Sequence, residues 1–390
     1  MDINTDPQEK TKNWLAPQVF PPVMFVAIIF LGLVLIIGLE LLAHNRNAAP
    51  PVTIPPSPTP ALPVTLTLYN WTSYMPQSIL DDFAAQSGIT VTYQSYETQE
   101  EAVAGLLTGK SYDVVVMGNN FIPQLIAADI LAPIDYQNVP NFKNISPEFR
   151  DLAYDPQNQH SIPFNWGTTG LLVRQDLITR PVTCWSDLWD PALKSKIAIW
   201  NIPNANIAMA LKSLNYPANT EDSHLLDQAQ QRLLALKDQA VLIWPGDEAS
   251  IIPPLAEGRI VAAYGWSYDA VLARQQNLSI TYVLPCEGTF LWGENFVIPK
   301  SSPHQIQAEQ FLNFLLRPDI GARLIAELAY ATPNEPAQKL LAPEIRNDPL
   351  IFPAPNSLKN SDILLPAKPE TLELHQQIWN NFLNYVPETP

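Results

Sequence analysis

Seven prolines in the stretch Ala48–Pro63 (AAPPVTIPPSPTPALP) cut the chain into two parts that must fold independently. Proline fixes φ and has no N–H to donate, so neither a helix nor a sheet continues through such a segment. It reads as an extended, semi-rigid spacer of about 3 Å per residue. Upstream of it, Val23–Ala43 (VMFVAIIFLGLVLIIGLELLA) is apolar with a single charge, Glu40. A run of about 20 such residues can cross the hydrocarbon core of a bilayer. Lys10 and Lys12 before the run, against Arg46 after it, give a slight positive-inside bias that keeps the N-terminus in the cytoplasm. A cleaved signal peptide is the rival reading, but the run exceeds the ~7–15 residues of a signal core and its leader is long and mixed in charge. The expected layout is a cytoplasmic segment 1–22, a transmembrane anchor 23–43, a linker 44–63 and a body from Val64 held outside the cytoplasm. The alternative is a soluble body released by signal cleavage.

Within the body, short strand-like runs alternate with helical ones. Val64–Tyr69 (VTLTLY) alternates apolar or β-branched residues with Thr, as a half-buried strand does. A helix follows Pro76, with Ile79, Leu80 and Phe83 on one side and Gly88 at its end. Ile89–Tyr93 is a second strand, Glu100–Leu107 a second helix, and Asp113–Met117 (DVVVM) a continuous apolar strand of the buried, parallel type. A similar series starts at Gly170–Val173 and Lys196–Trp200, with a long helix over Leu225–Leu236 and strands at Ala240–Trp244, Ile260–Tyr264 and Ile280–Leu284. Helices at Gln305–Leu316 and Ile320–Leu328 close the pattern. Such alternation implies an α/β architecture on a parallel-rich sheet, and the length of the chain implies two lobes.

The charge balance, 38 acidic against 22 basic residues for a formal −16, leaves no basic stripe to neutralise phosphates and excludes nucleic acid as a partner. It is compatible with a cationic ligand. The five histidines are scattered and show no metal-type spacing, and no nucleophile elbow, P-loop or dinucleotide fingerprint is present. No catalytic residue, metal site or cofactor is expected. Cys184 and Cys286 are far apart in sequence; they pair in an oxidising compartment or remain two thiols, and the sequence leaves both open.

Aromatic residues beside acids are the informative feature. Trp71 and Tyr74 follow a strand in YNWTSYMP, where the carboxyl end of a sheet opens into a ligand crevice. Trp266 follows another strand, with Asp269 three residues on, and Trp292 stands with Glu294 in LWGENF. Aromatic faces attract cations, and carboxylates form charge-assisted hydrogen bonds with ammonium groups. Each tryptophan alone suits a core as well as a ligand box; their common place at strand–loop junctions favours the box.

At these residues the chain resembles the periplasmic spermidine/putrescine-binding proteins of bacterial ABC importers, from Thr65 to about Tyr385. The matching phrases are LYNWTSYMP (68–76), YDVVVMGNN (112–120), SIPFNWGTTGLLV (161–173), TCWSDLWDP (183–191) and, most specifically, FLNFLLRPDIGARLIAELAYATPNEPAQKLLAPE (311–344). The resemblance implies a two-lobed periplasmic-binding-protein fold (type II) with crossing hinge strands. Lobe 1 would comprise 64–166 and 293–338, and lobe 2 would comprise 167–292 and 339–390. It implies a binding protein rather than an enzyme, without cofactor, working in the periplasm with an ABC permease; the apolar run 23–43 adds the expectation of an anchor in the inner membrane. By the same resemblance the ligand box comprises Trp71, Thr72, Tyr74, Trp266, Asp269, Trp292, Glu294 and Tyr330, with Asn120 in the turn that replaces a serine and a tyrosine of the family.

One part of the pattern departs. Where spermidine binders carry two acids that grip a terminal amine, this sequence has Ile202 and Ala205 in the loop NIPNAN. A box for an alkyl chain is kept while one charged end is lost, which puts a long triamine in doubt. Further acids at Asp247 and Glu248 are candidates to replace them. The leading expectation is a polyamine; another small amine or amino acid on the same fold, or a sensor or scaffold module, are the alternatives.

Overall fold

The alternating residues after the proline stretch form the first strand, β1 (Thr65–Trp71), with Leu66 and Leu68 fully buried. The structure, a computed structural model, describes residues 64–386 except 240, 245–249 and 277. The expected anchor at 23–43, the linker at 44–63 and the acids Asp247 and Glu248 lie outside the described residues. Among the described residues no helix is long and apolar enough to cross a membrane.

The first helix, Gln77–Ser87, buries Ile79, Leu80 and Phe83, and stops where Gly88 takes a left-handed conformation (φ 73°) and its N–H returns to the Ala84 carbonyl. Next come β2 (Thr90–Tyr96), the helix Gln99–Leu107 and β3 (Val114–Gly118), all five residues of which are buried. Both β2 and β3 pair with β1 in parallel. The remaining strands are β4 (Ser161–Val173), β5 (Ile197–Trp200), β6 (Leu242–Trp244), β7 (Ala262–Trp266), β8 (Thr281–Val283), β9 (Phe290–Val297) and β10 (Asp362–Ile363). They form one sheet in the order β2-β1-β3-β9-β4-β7-β5-β6, with β8 beside β4 and β10 beside β9.

Parallel pairing holds within β2-β1-β3 and within β6-β5-β7, as expected, and the sheet as a whole is mixed. β9 runs antiparallel to β3 and β4, and β4 antiparallel to β7 and β8. The reason lies in β4 and β9, two long strands that each start in one hydrophobic core and end in another. Ile162 and Phe164 of β4, with Phe296 of β9, belong to a core built on β1, β3 and the helix Gln305–Leu315. Leu171–Val173 at the far end of β4, with Phe290 of β9, belong to a second core built on β5, β7 and the helices Pro203–Ser213 and Ser223–Lys237. Phe290 and Phe296 are 2% and 1% exposed; a buried Phe contributes about 2–3 kcal/mol each, so β9 is pinned at both ends. Between the two cores, residues 165–169 of β4 face 294–290 of β9.

A third passage lies beside this crossing. The helix Pro318–Leu328 ends at Ala329 in a left-handed conformation (φ 56°), and the backbone N–H of Trp166 then donates to the Ala331 carbonyl at 2.9 Å. The second core is also tied at its edge by a disulfide between Cys184 and Cys286, so the two cysteines are not separate thiols.

Candidate functional site

The site grows from the stretch where β4 and β9 pass between cores. Trp292 and Glu294 lie two apart on β9, so their side chains leave the same face of the sheet. Trp292 is thus inside a strand and not at a strand–loop junction, unlike Trp71 and Trp266, which end β1 and β7. The ring of Trp292 lies directly over Gly167, its register partner on β4, where a Cβ would come within 2.3 Å of the indole.

Glu294 is 9% exposed and is held by nitrogen donors only. The indole N–H of Trp71 donates to Oε1 at 3.2 Å, and the side-chain amide of Gln99 lies 3.2 Å from Oε1 and 3.1 Å from Oε2. No Lys, Arg or His pairs with it among the described residues. Burial pushes its pKa up to about 7, and the hydrogen bonds from Gln99 and Trp71 pull the other way without cancelling the desolvation. A carboxylate this enclosed and without a counter-ion is suited to receive a cation.

Around it stands a wall of rings. Tyr330, delivered by the turn at Ala329, has its ring centre 5.0 Å from that of Tyr74, 5.4 Å from Trp292 and 4.9 Å from Tyr268. Trp71 adds a ring 4.8 Å from Tyr96, whose hydroxyl donates to the Val116 carbonyl. Burial raises the Tyr74, Tyr96 and Tyr330 hydroxyls far above their ordinary range, and the charge of Glu294 raises each further. They stay neutral and offer O–H groups and π faces.

On the opposite side, Trp266 packs on Trp200 at 5.3 Å between ring centres. Its backbone N–H donates to Asp269 Oδ2 at 2.9 Å, and burial lifts Asp269 to about 6. The Tyr330 hydroxyl feels both Asp269 and Glu294, so the two acids lie near one ring. Ile202 and Ala205 pack against the second core and bring no charge. Of the amides beside them, Asn201 Oδ1 accepts from Trp379 Nε1 (2.9 Å), Asn204 Oδ1 lies 3.0 Å from His375 Nδ1, and Asn206 donates to the Trp200 carbonyl (2.7 Å) while its buried Oδ1 has no partner.

Of the residues expected from sequence, Trp71, Tyr74, Trp292, Glu294 and Tyr330 are linked by hydrogen bonds, ring contacts and charge, and Asp269, bonded to the Trp266 N–H, acts on the Tyr330 hydroxyl. Thr72 is exposed and donates to Glu97 at 2.9 Å. Asn120 is partly buried beside Gly118. Sequence reasoning missed Gln99, Tyr96 and Tyr268. Tyr268 carried a signal, standing two residues from Trp266; Gln99 carried none, since the carboxylate it holds is 195 residues away.

With this geometry in hand, comparison with known proteins is specific. The family profile for bacterial extracellular solute-binding proteins matches residues 78–354. The chain is 34% identical over 301 residues to the spermidine/putrescine-binding periplasmic protein of Escherichia coli, covering 76% of this chain and 86% of that protein. It is 30% identical over 328 residues to a putrescine-binding periplasmic protein of Pseudomonas aeruginosa, covering 78% and 88%. Among solved structures, the spermidine/putrescine ABC transporter substrate-binding protein of Streptococcus pneumoniae superposes with a TM-score of 0.76 at 27% identity, over 82% of this chain and 98% of that one.

Proposed function

This chain belongs to the bacterial extracellular solute-binding proteins, and we propose that it is the substrate-binding subunit of an ABC importer, capturing a putrescine-like polyamine in the periplasm. It binds and hands over; it is not an enzyme. The observation that carries the reading is Glu294, a buried carboxylate without a cationic partner among the described residues, set beside the rings of Trp71, Tyr74, Trp292 and Tyr330. An ammonium supplies the missing positive charge, and the rings cover the methylene chain that follows it. The relatives named above for spermidine and putrescine support the same class of ligand.

In this reading lobe 1 comprises 64–166 and 293–338, and lobe 2 comprises 167–292 and 339–390. The chain crosses between them along β4, along β9 and once more after about Gln338, and these crossings act as the hinge. Ligand touching both lobes favours the closed arrangement. The apolar run 23–43 holds the body to the inner membrane through the proline spacer, beside the permease it serves. In its host the protein then stays with membranes through a high-salt wash; a soluble form starting near residue 44–50 would identify a cleaved signal instead.

Ligand length follows from charge. Glu294 and Asp269 serve two amines, while the loop of Ile202 and Ala205 has no carboxylate to balance a third; the unpartnered Asn206 Oδ1 there offers an acceptor but no charge. Burying an unpaired ammonium is costly. Titration calorimetry with putrescine, spermidine, spermine and basic amino acids should therefore rank putrescine at or above spermidine. Tight binding of a basic amino acid with no response to any polyamine would overturn the ligand class.

A further inference from the structure

The helix Gln99–Leu107 opens with a side chain that is 7% exposed yet polar, and every hydrogen-bonding atom of its amide is used. Thr98 caps the helix, accepting from the Glu101 N–H at 3.1 Å, and so fixes where Gln99 begins. The Gln99 carbonyl accepts from the Gly118 backbone N–H at 2.8 Å. That bond sets the amide's orientation: reversed, two N–H groups would face each other. The NH2 group is thereby turned to Glu294, within 3.2 Å of both carboxylate oxygens. Gly118 permits this, since a Cβ there would stand 3.3 Å from Gln99 Nε2 and 2.9 Å from Asn120 Oδ1.

We propose that Gln99 is a positioning residue of the binding site, favouring the ionised form of Glu294 against the cost of its burial and aiming the carboxylate at an arriving ammonium. The inference rests on the reading of Glu294 as the ligand's anion. Two facts favour this role over packing alone. A hydrocarbon side chain would fill the same buried space without needing partners for an amide. And Gln99 bridges two elements, β3 and β9, that pair through Gly118 and Glu294 in register, so it fixes the carboxylate relative to the strand beside it. The groups that feel the charge of Glu294 from the surrounding elements are Tyr74 after β1, Tyr96 on β2 and Tyr330. None is a cation, and all remain protonated. Control of the carboxylate therefore rests with its donors, Gln99 and the Trp71 indole.

The test compares wild type with Gln99→Met, which keeps the shape of the side chain and removes the amide. Two readouts are taken: putrescine affinity by calorimetry from about pH 5.5 to about pH 9, and the titration of the Glu294 carboxylate by carbon-13 NMR on ligand-free protein. Without its donor Glu294 should titrate about one unit higher, which weakens binding roughly 5- to 10-fold near neutral pH. The loss should shrink as the pH rises past the new midpoint. A purely structural role would weaken binding equally at all pH values and leave the carboxylate titration where it was; either result, or unchanged affinity throughout, overturns the inference. If Gln99→Met does not fold, Trp71→Phe removes the other donor while keeping a ring. It should move the carboxylate midpoint upward likewise, and an unmoved midpoint counts against the proposal. If wild type binds no polyamine at all, the proposed function fails, and the ligand-free titration still decides whether Gln99 controls Glu294.

Discussion

Glu294 sits where its own charge is disfavoured, and this has a measurable effect on stability. Its folded pKa of about 7 lies above the unfolded value of 4.5, so the folded state prefers the neutral acid. The sign follows: below pH 4.5 the group has no effect, and as pH rises from 4.5 through 7 the ligand-free protein loses stability, on the order of 3 kcal/mol once the rise is complete. Glu294→Gln removes that loss while abolishing ligand capture. Thermal melts at about pH 8 should find the ligand-free variant more stable than wild type, and melts at about pH 4 should find no difference. A variant that melts lower at both pH values would show that Glu294 is a structural residue. Asp269 acts in the same direction over a lower window, from 3.8 to about 6. At this scale the site was readable wherever an aromatic and an acid stood close in the sequence, as at Trp292 with Glu294 and Trp266 with Asp269. Gln99 was not, because its role depends on a partner brought over by the fold. Trp292 was singled out as lying at a strand–loop junction, and the structure places it mid-strand.

Among the elements, the strands that cross between cores were the least legible. β9 (FLWGENFV) carries Gly293 and Glu294 at its centre, residues that break an apolar pattern, and β4 holds Pro163, Gly167 and Gly170 within 13 residues. Those irregularities fall in the candidate site: Gly167 makes room for the Trp292 ring, and Glu294 is the proposed anion. By contrast VTLTLY and DVVVM, which only pack, were legible as strands, and so was the Gly88-terminated helix. Two substitutions separate packing from function here. Gly167→Ala puts a methyl into the Trp292 indole; displacing the ring should weaken ligand binding and cost about 1–3 kcal/mol of stability. Ala329→Gly relieves the left-handed turn before Tyr330 and should raise stability by about 1 kcal/mol. Calorimetry and melts on both variants check this, and unaltered binding by Gly167→Ala would mean that the Trp292 ring is not a wall of the passage.

For the molecule as a whole, two cores share the long strands β4 and β9. The formal charge of −16 adds a field that attracts small cations to it. The α/β character and two-lobed plan could be read from the alternation and the resemblance; the mixed sheet could not, because strand direction depends on β4 and β9 returning past each other. Nor could the Cys184–Cys286 bond, whose partners are 102 residues apart. The central claim is that one ligand amine is met by Glu294 inside an aromatic passage between the two cores. A crystal structure with putrescine tests it most directly. The account predicts an ammonium within about 3 Å of Glu294, with the methylene chain against Trp292, Tyr330 and Trp71. Putrescine bound away from this passage, with Glu294 still enclosed by Gln99 and Trp71 alone, would contradict it.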